Sequence, residues 1–391
     1  MITYLQAQQQ IAKVANRLAI ETIPLKKALG RVIAEDIVYD INMPPFDKSA
    51  MDGYACARKD LSLNLVLVET IHAGKQPEKK LQKGECSKIM TGAPVPIGAD
   101  MVFKQEDAIV NSDETITCSD INAKGNICFC GEDVTKGSVV LSKNILIEAK
   151  QTPLLAGAGY AKLKVYKKPQ IKIITSGTEL VEPSEKPLAH QIRNSNATQI
   201  QAQLEALKLP YEYLGVIKDD ETNLKESMRS AFNKSDVLIM SGGVSVGDFD
   251  LIPKIIEGLG FSIELNKTAI QPGKPMVFAH KEGKYFFGLS GNPVASFIQF
   301  ELYAKPFLYA LQGLNYKPLL FNLPLANHFK RKNAGRHLFT PAIINSDNQV
   351  EPILFNGSAH INALSNASCF IEVPIGTSEL ESGTMVQVRP F

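Results

Sequence analysis

The sequence predicts an α/β multidomain protein. Its parts are a doubly wound α/β domain, a β-rich block set between helical segments, and a C-terminal β-barrel or sandwich. Three observations carry this expectation. The chain has 391 residues, enough for several domains that each bury a core. Strand and helix patterns alternate from residue 168 to 313. Short alternating apolar runs, broken by Gly, Pro and Asp, fill residues 41–136 and return after 314.

The elements follow in order. The first 20 residues read as a helix: Thr3 and Gln6 form a capping-box pattern, and Ile11, Val14, Ala15 and Leu18 recur at helical spacing. The runs LNLVLVETI, SKIMTG and DMVFKQED read as strands of the β-rich block, and QTPLLAGAGYA as a short helix after it. Helical segments on both sides make the block an insertion into a discontinuous domain. QIKIITSG then reads as a strand, and NATQIQAQLEALKL as an amphipathic helix with Ile200, Leu204 and Leu207 on one side. YEYLGVIKD and DVLIMSGG are further strands, ETNLKESMRSAFN and LIPKIIEGLG further helices, and KYFFGLSG a late strand. A long helix follows, with Asn292 as its cap and Pro293 at its first position. GRHLFTPAII, NQVEPILF, CFIEVPIG and GTMVQVRPF supply the closing strands.

Composition narrows the function classes. With 42 Lys+Arg against 40 Asp+Glu, the net charge of +2 does not suggest a nucleic-acid binder or a polybasic membrane protein. No apolar run approaches the roughly 18 residues needed to span a bilayer. The start, MITYLQAQQQ, lacks the basic-then-apolar order of a signal peptide. A soluble cytoplasmic protein, with neither nucleic acid nor membrane as partner, is expected. Cys128 and Cys130 form a C-x-C pair that could hold a soft metal, but no second Cys or His pair accompanies it. The six cysteines are therefore expected as free thiols.

Chemistry gathers in loops at strand ends. In SGGVSVGDFD, Gly242, Gly243 and Gly247 allow close backbone approach, and Ser241 and Ser245 offer hydroxyls. Amides in such a loop before a helix suit a phosphate or similar oxyanion. Asp248 and Asp250 follow, and a carboxylate beside bound phosphate usually means a divalent metal, most often Mg²⁺. TSGTEL offers Thr175, Ser176 and Glu179; IQPGKP places Lys274 in a stiff turn of Pro272, Gly273 and Pro275, with Lys267 upstream; GLSGNPVASF puts Gly291 and Asn292 at a helix start. Each alone also reads as a plain turn. Four of them on one sheet edge predict a ligand crevice beyond the carboxyl ends of the strands. With His and Cys so sparse, the chemistry falls to carboxylates, lysines, hydroxyls and a metal, which limits it to transfer at a phosphate or another oxyanion.

FDKSAMDGYA, MTGAPVPIGAD, GEDVTKG, SGGVSVGDFD, PGKP and GLSGNPVASF, in this order and spacing, closely resemble the molybdopterin molybdenumtransferase family, MoeA, which includes the gephyrin E-domain. The resemblance covers essentially the whole chain. It implies four modules: a discontinuous linking α/β domain (1–40 and 137–167), a β-rich inserted domain (41–136), a molybdopterin-binding α/β domain (168–313) and a C-terminal β-barrel (314–391). It implies an elongated homodimer that inserts molybdenum from molybdate into adenylyl-molybdopterin, releasing molybdenum cofactor and AMP. The molybdopterin adenylyltransferase is the protein partner it suggests.

Carried over motif by motif, the resemblance assigns Asp250, with Asp219 or Asp220, to Mg²⁺ and pyrophosphate cleavage, and Glu179 to the pterin nucleotide. Ser241, Gly242, Gly243, Ser245, Gly247, Gly291, Asn292 and Pro293 would hold phosphate, and Pro272 and Gly273 would shape the turn carrying Lys274. Lys267 and Lys274 would neutralise phosphate or molybdate. Asp52, Thr91 and Asp133 would enter from the partner subunit, and Ser358 would touch the molybdate region. The sequence departs from the family pattern at Gln271 and Pro341, where Lys and Arg are frequent; Arg336 or Arg193 could supply the lost charge. Lys48 and Thr178 also stand where Asn and an acidic residue are more usual. The competing expectation is a non-catalytic molybdopterin-binding or scaffold protein of the gephyrin E-domain type.

Overall fold

In the computed structural model, residues 1–243, 251–353 and 357–391 are described. At its centre a six-stranded sheet runs in the order Tyr211–Ile217, Ile171–Ser176, Val237–Ser241, Lys284–Leu289, Pro275–Lys281, Ser262–Lys267. The first four strands are parallel, and Pro275–Lys281 runs antiparallel to both of its neighbours. Alternate residues of each strand enter different cores, as a period of two requires. Ile171, Ile173, Val237, Ile239 and Phe287 pack with the helices Ser195–Ala206 and Pro293–Gln299. Ile174, Leu238, Met240 and Phe286 pack with Glu221–Phe232 and Leu251–Gly258. Helices thus cover both faces, and the loops at the carboxyl ends of the parallel strands are left as the open edge.

The first helix spans Tyr4–Lys13, with Thr3 and Gln6 forming the capping box. It buries Tyr4, Ala7 and Ile11 in the α/β core, a placement that grouping residues 1–40 with the linking segment does not express. The helix also stops short of residue 20. Beyond it, Asn16 N–H donates to the Tyr285 hydroxyl, which donates to Val14 O, and Leu18 N–H donates to Leu311 O. These tertiary partners satisfy the backbone that another helical turn would have used.

On either side of the β-rich block the chain pairs with itself. Ile20–Pro24 runs antiparallel to Lys162–Tyr166, and Ile37–Val38 to Val139–Leu141, over a core that includes Ile33, Ile37, Leu155 and Val165. The block between them carries a four-stranded sheet ordered Val66–Ile71, Glu85–Ile89, Gly53–Cys56, Met101–Lys104. The C-terminal sheet is ordered Ile270–Gln271, His337–Ile344, Cys369–Val373, Met385–Pro390, Phe321–Pro324. Its first strand comes from the α/β segment, so that sheet is stitched to the turn carrying Lys274. All six cysteines are free, and Cys56, Cys86, Cys118 and Cys369 are buried. Among the described residues no helix is long and apolar enough to cross a membrane.

Candidate active site

The carboxyl ends of Ile171–Ser176, Val237–Ser241 and Lys284–Leu289 open into a cavity of about 580 Å³. Ser176, Glu179, Asp219, Ser241, Gly242, Gly243, Gly291, Asn292 and Pro293 all stand on its wall. Gly242 has φ +94°, and a Cβ there would lie 2.2 Å from Ser176 O, so only glycine lets the two loops approach this closely. Ser245, Gly247 and Asp250, the remaining assignments on the Gly-rich loop, lie outside the described residues.

Two asparagines that the sequence reading missed hold this edge together. Asn194 caps the helix Ser195–Ala206 by accepting from Ala197 N–H, and donates to Thr175 Oγ1 at 2.9 Å and the Tyr213 hydroxyl at 2.8 Å. Asn196 Nδ2 donates to Ser241 Oγ at 2.7 Å and Gly291 O at 2.9 Å. The signal available for Asn194 was the capping preference of Asn before the periodic run. Ser241 Oγ in turn donates to Ser290 O at 3.1 Å, so its proton is committed inside the protein. Ser176 Oγ and Asn196 Oδ1 are buried on the cavity wall without a partner among the described residues. A ligand hydrogen-bonded to these two atoms would remove the desolvation cost they now carry.

The charge of the wall bears on a metal. Among the described residues it carries two carboxylates, Glu179 and Asp219, against one guanidinium, Arg193. Asp220 is used differently: its Oδ1 caps the helix Glu221–Phe232 through Asn223 N–H at 2.9 Å. Hard carboxylate oxygens with a net negative wall suit a divalent cation such as Mg²⁺ and would repel an unaccompanied phosphate. A separate cluster, His328, Glu379 and Glu381, has three exposed groups within 4.8 Å, but Lys330 Nζ already pairs with Glu379 at 3.3 Å. It lies in the C-terminal sheet region and is no part of the cavity wall.

The lysines sit beside the cavity rather than on its wall. Lys267 is exposed at the sheet edge, in register with Pro275; Lys274 is half-buried; Pro272 and Gly273 are buried; and Pro275 alone of that turn reaches the wall. Arg336 Nη1 donates to Ile270 O at 3.2 Å, next to Gln271, whereas Pro341 is buried opposite Phe370. From the C-terminal segment, Ser358 Oγ accepts from Asn292 Nδ2 at 2.7 Å, and Ala359 and Ile361 complete the wall. Asn292 is the N-cap residue of Pro293–Gln299 but makes no side-chain cap bond; its amide goes to Ser358 instead.

The β-rich block gathers its own motifs. Asp52 Oδ1 accepts from both Thr91 N–H and Thr91 Oγ1 at 2.7 Å, and these two bonds, the backbone one first, hold its carboxyl below the usual carboxylate range. Ser49 N–H donates to Ala93 O, Cys130 N–H to Asp47 Oδ1, and Asp133 N–H to Met43 O, which brings FDKSAMDGYA, MTGAPVPIGAD and GEDVTKG together. None of Asp52, Thr91 and Asp133 stands on the 580 Å³ cavity of the same chain.

Comparison with known proteins places these features in a family. The chain matches the MoeA N-terminal region (domain I and II) over residues 2–159, the probable molybdopterin binding domain over 172–310, and the MoeA C-terminal region (domain IV) over 322–391. It is 36% identical over 380 residues to a molybdopterin molybdenumtransferase of Haemophilus influenzae, covering 95% of this chain and 94% of that one. It is 35% identical over 399 residues to that of Bacillus subtilis, covering 98% and 92%. The crystal structure of the molybdopterin biosynthesis moeA protein from Pyrococcus horikoshii OT3 superposes with a TM-score of 0.87 at 29% identity, over 100% of both chains. Matched by these three regions and by relatives more than 30% identical over nearly its whole length, the chain belongs to the molybdopterin molybdenumtransferase (MoeA) family.

Proposed function

We propose that this chain inserts molybdenum from molybdate into adenylyl-molybdopterin and releases molybdenum cofactor and AMP, as a cytoplasmic homodimer. Its role lies in molybdenum cofactor biosynthesis, and the non-catalytic scaffold reading is not favoured, since the matched relatives are named as transferases. The observation that carries the reaction is the cavity wall itself. Glycine backbone, two buried polar atoms without a partner among the described residues and two carboxylates share this wall, a set that suits a phosphate accompanied by a divalent cation.

In this reading the backbone of Gly242, Gly243 and Gly291 lies against the pyrophosphate, and Ser176 Oγ donates to one of its oxygens. Glu179 orients the pterin nucleotide. Asp219 and Asp250 would hold Mg²⁺, which supplies charge neutralisation to the pyrophosphate when bound. Arg193 and Lys274, with Lys267 farther out, balance the incoming molybdate, and Ser358 positions Asn292 beside it. Fixed dipoles and charges of this kind act where charge develops and need no reorganisation during the reaction. Asp52, Thr91 and Asp133 are supplied by the second subunit, with the modules divided as the resemblance implies. The molybdopterin adenylyltransferase delivers the adenylylated substrate.

The test is AMP release from adenylyl-molybdopterin as Mg²⁺ is titrated. Asp219→Asn is expected to raise the Mg²⁺ requirement and lower kcat by about 10²-fold or more, the scale of losing one charge-stabilising group. An Asp219→Asn protein with wild-type rate and Mg²⁺ dependence would remove that residue from the site.

A further inference from the structure

We infer that Gln299 is a positioning residue that fixes Lys274 beside the oxyanion site by tying two substrate loops together; the inference rests on the functional reading above. Gln299 is the last residue of the helix Pro293–Gln299, is 0% exposed, and precedes the π-helical turn Phe300–Ala304. Its Nε2 donates to Gly273 O at 2.8 Å and Pro275 O at 2.7 Å, while its Oε1 accepts from Ser290 N–H at 2.7 Å. One buried amide therefore spends both donors on the turn 272–275 and its acceptor on the loop that leads into Gly291 and Asn292.

Lys274 is the residue between the two held carbonyls. Its own carbonyl accepts from Thr268 N–H at 3.0 Å, so three consecutive carbonyls of the turn are anchored. Gly273 has φ +101°, and a Cβ there would stand 3.1 Å from both Cγ and Nε2 of Gln299, so the turn is shaped to admit this amide. Among the described residues no carboxylate pairs with the Lys274 ammonium, which leaves it available for an anion. Packing alone does not explain the side chain. Ile298 and Phe300 beside it are fully buried and apolar, and an apolar residue of similar volume would fill the same space without the cost of burying an amide. A π turn frequently marks a functional position in a helix, and here it begins directly after Gln299.

The experiment is a double-mutant cycle on the full chain. Molybdate and AMP are each titrated by calorimetry into the wild type, Gln299→Met, Lys274→Ala and the double variant, with AMP release measured in parallel. Each single variant is expected to weaken one of the two anions about tenfold, and the double variant to bind no more weakly than Lys274→Ala. A purely structural Gln299 would lower thermal stability and give losses that add; additive losses overturn the inference. So would a Gln299→Met protein that binds both anions normally, a silent Lys274→Ala, or a wild type that binds neither anion. Gln299→Glu, which keeps the bond from Ser290 and loses the two donors, reads the same cycle if the methionine variant does not fold. A wild type that binds an anion yet releases no AMP removes the functional reading, while the cycle still decides the role of Gln299.

Discussion

Asn196 donates to Ser241 Oγ at 2.7 Å, joining the start of the helix Ser195–Ala206 to the carboxyl end of the strand Val237–Ser241. The same amide reaches Gly291 O, so three loops of the cavity share one side chain that is 8% exposed. Asn196→Ala leaves the Gly291 carbonyl without this partner, and an orphaned buried group costs about 1–3 kcal/mol. Urea unfolding is expected to report a loss of that size, with AMP affinity falling as the loops lose register. Unchanged unfolding and AMP binding would contradict the assignment.

Thr91 controls the ionisation of Asp52. The carboxylate is held low first by Thr91 N–H and then by Thr91 Oγ1, so it is ionised through neutral and mildly acidic pH. Thr91→Val removes the hydroxyl bond and keeps the backbone one. The Asp52 pKa then rises part of the way to the usual carboxylate range. The acid limb of the pH–rate profile should move to higher pH, while the rate near neutrality, where Asp52 stays ionised, changes less.

Asp52 and Asp219 stand in separate regions of one chain, and Asp52 is absent from the cavity wall that Asp219 helps to form. If the second subunit supplies Asp52, mixed dimers of Asp52→Asn and Asp219→Asn subunits contain some sites with neither defect. Co-refolding two separately inactive variants should restore part of the wild-type rate. Recovery of no activity from verified mixed dimers would place Asp52 elsewhere.

Glu372 ties the N-terminal helix to the C-terminal sheet. It is 5% exposed, accepts from the Tyr4 hydroxyl at 3.2 Å and from Arg389 Nε at 2.9 Å, and faces His337 Nε2 at 3.6 Å. Burial pushes its carboxyl up most strongly, but the nearby His337 ring and the charge and bonds of Arg389 together outweigh that, so the net shift is downward. A depressed carboxylate contributes stability that is present above the unfolded-state pKa and lost as pH falls through the lowered folded-state value. Glu372→Ala leaves Arg389 buried and unpaired, a change that costs about 3–5 kcal/mol. Denaturant melts should show this loss at pH 7 and a smaller difference from wild type below the usual carboxylate range.

The α/β rhythm was legible because short apolar runs such as Ile171, Ile173 and Ile174 alternate along the chain with amphipathic helix patterns, and the helices carry caps and breakers at their ends. So was the crevice, since Gly242 and Gly291 announce close backbone approach. What escaped reading depends on long-range contacts. Asn196 looks like an ordinary helix-start residue until Ser241 and Gly291 are beside it. Gln299 falls inside a long apolar helix pattern, and nothing local marks the π turn that follows. The first helix ends at Lys13 because Tyr285 and Leu311, far along the chain, take over its backbone bonds. Asp219 and Asp220 could be told apart only when one faced the cavity and the other capped a helix.

In the proposed reaction molybdate drives breakdown of the adenylylated pterin in the cavity between Glu179, Asp219 and the glycine loops. Its most direct test is AMP formed from adenylyl-molybdopterin by the purified full chain with Mg²⁺, with and without molybdate. AMP release is expected to rise with molybdate and to yield a molybdenum-loaded pterin able to reconstitute a molybdenum-dependent apoenzyme. Bound adenylyl-molybdopterin that molybdate leaves intact would contradict it.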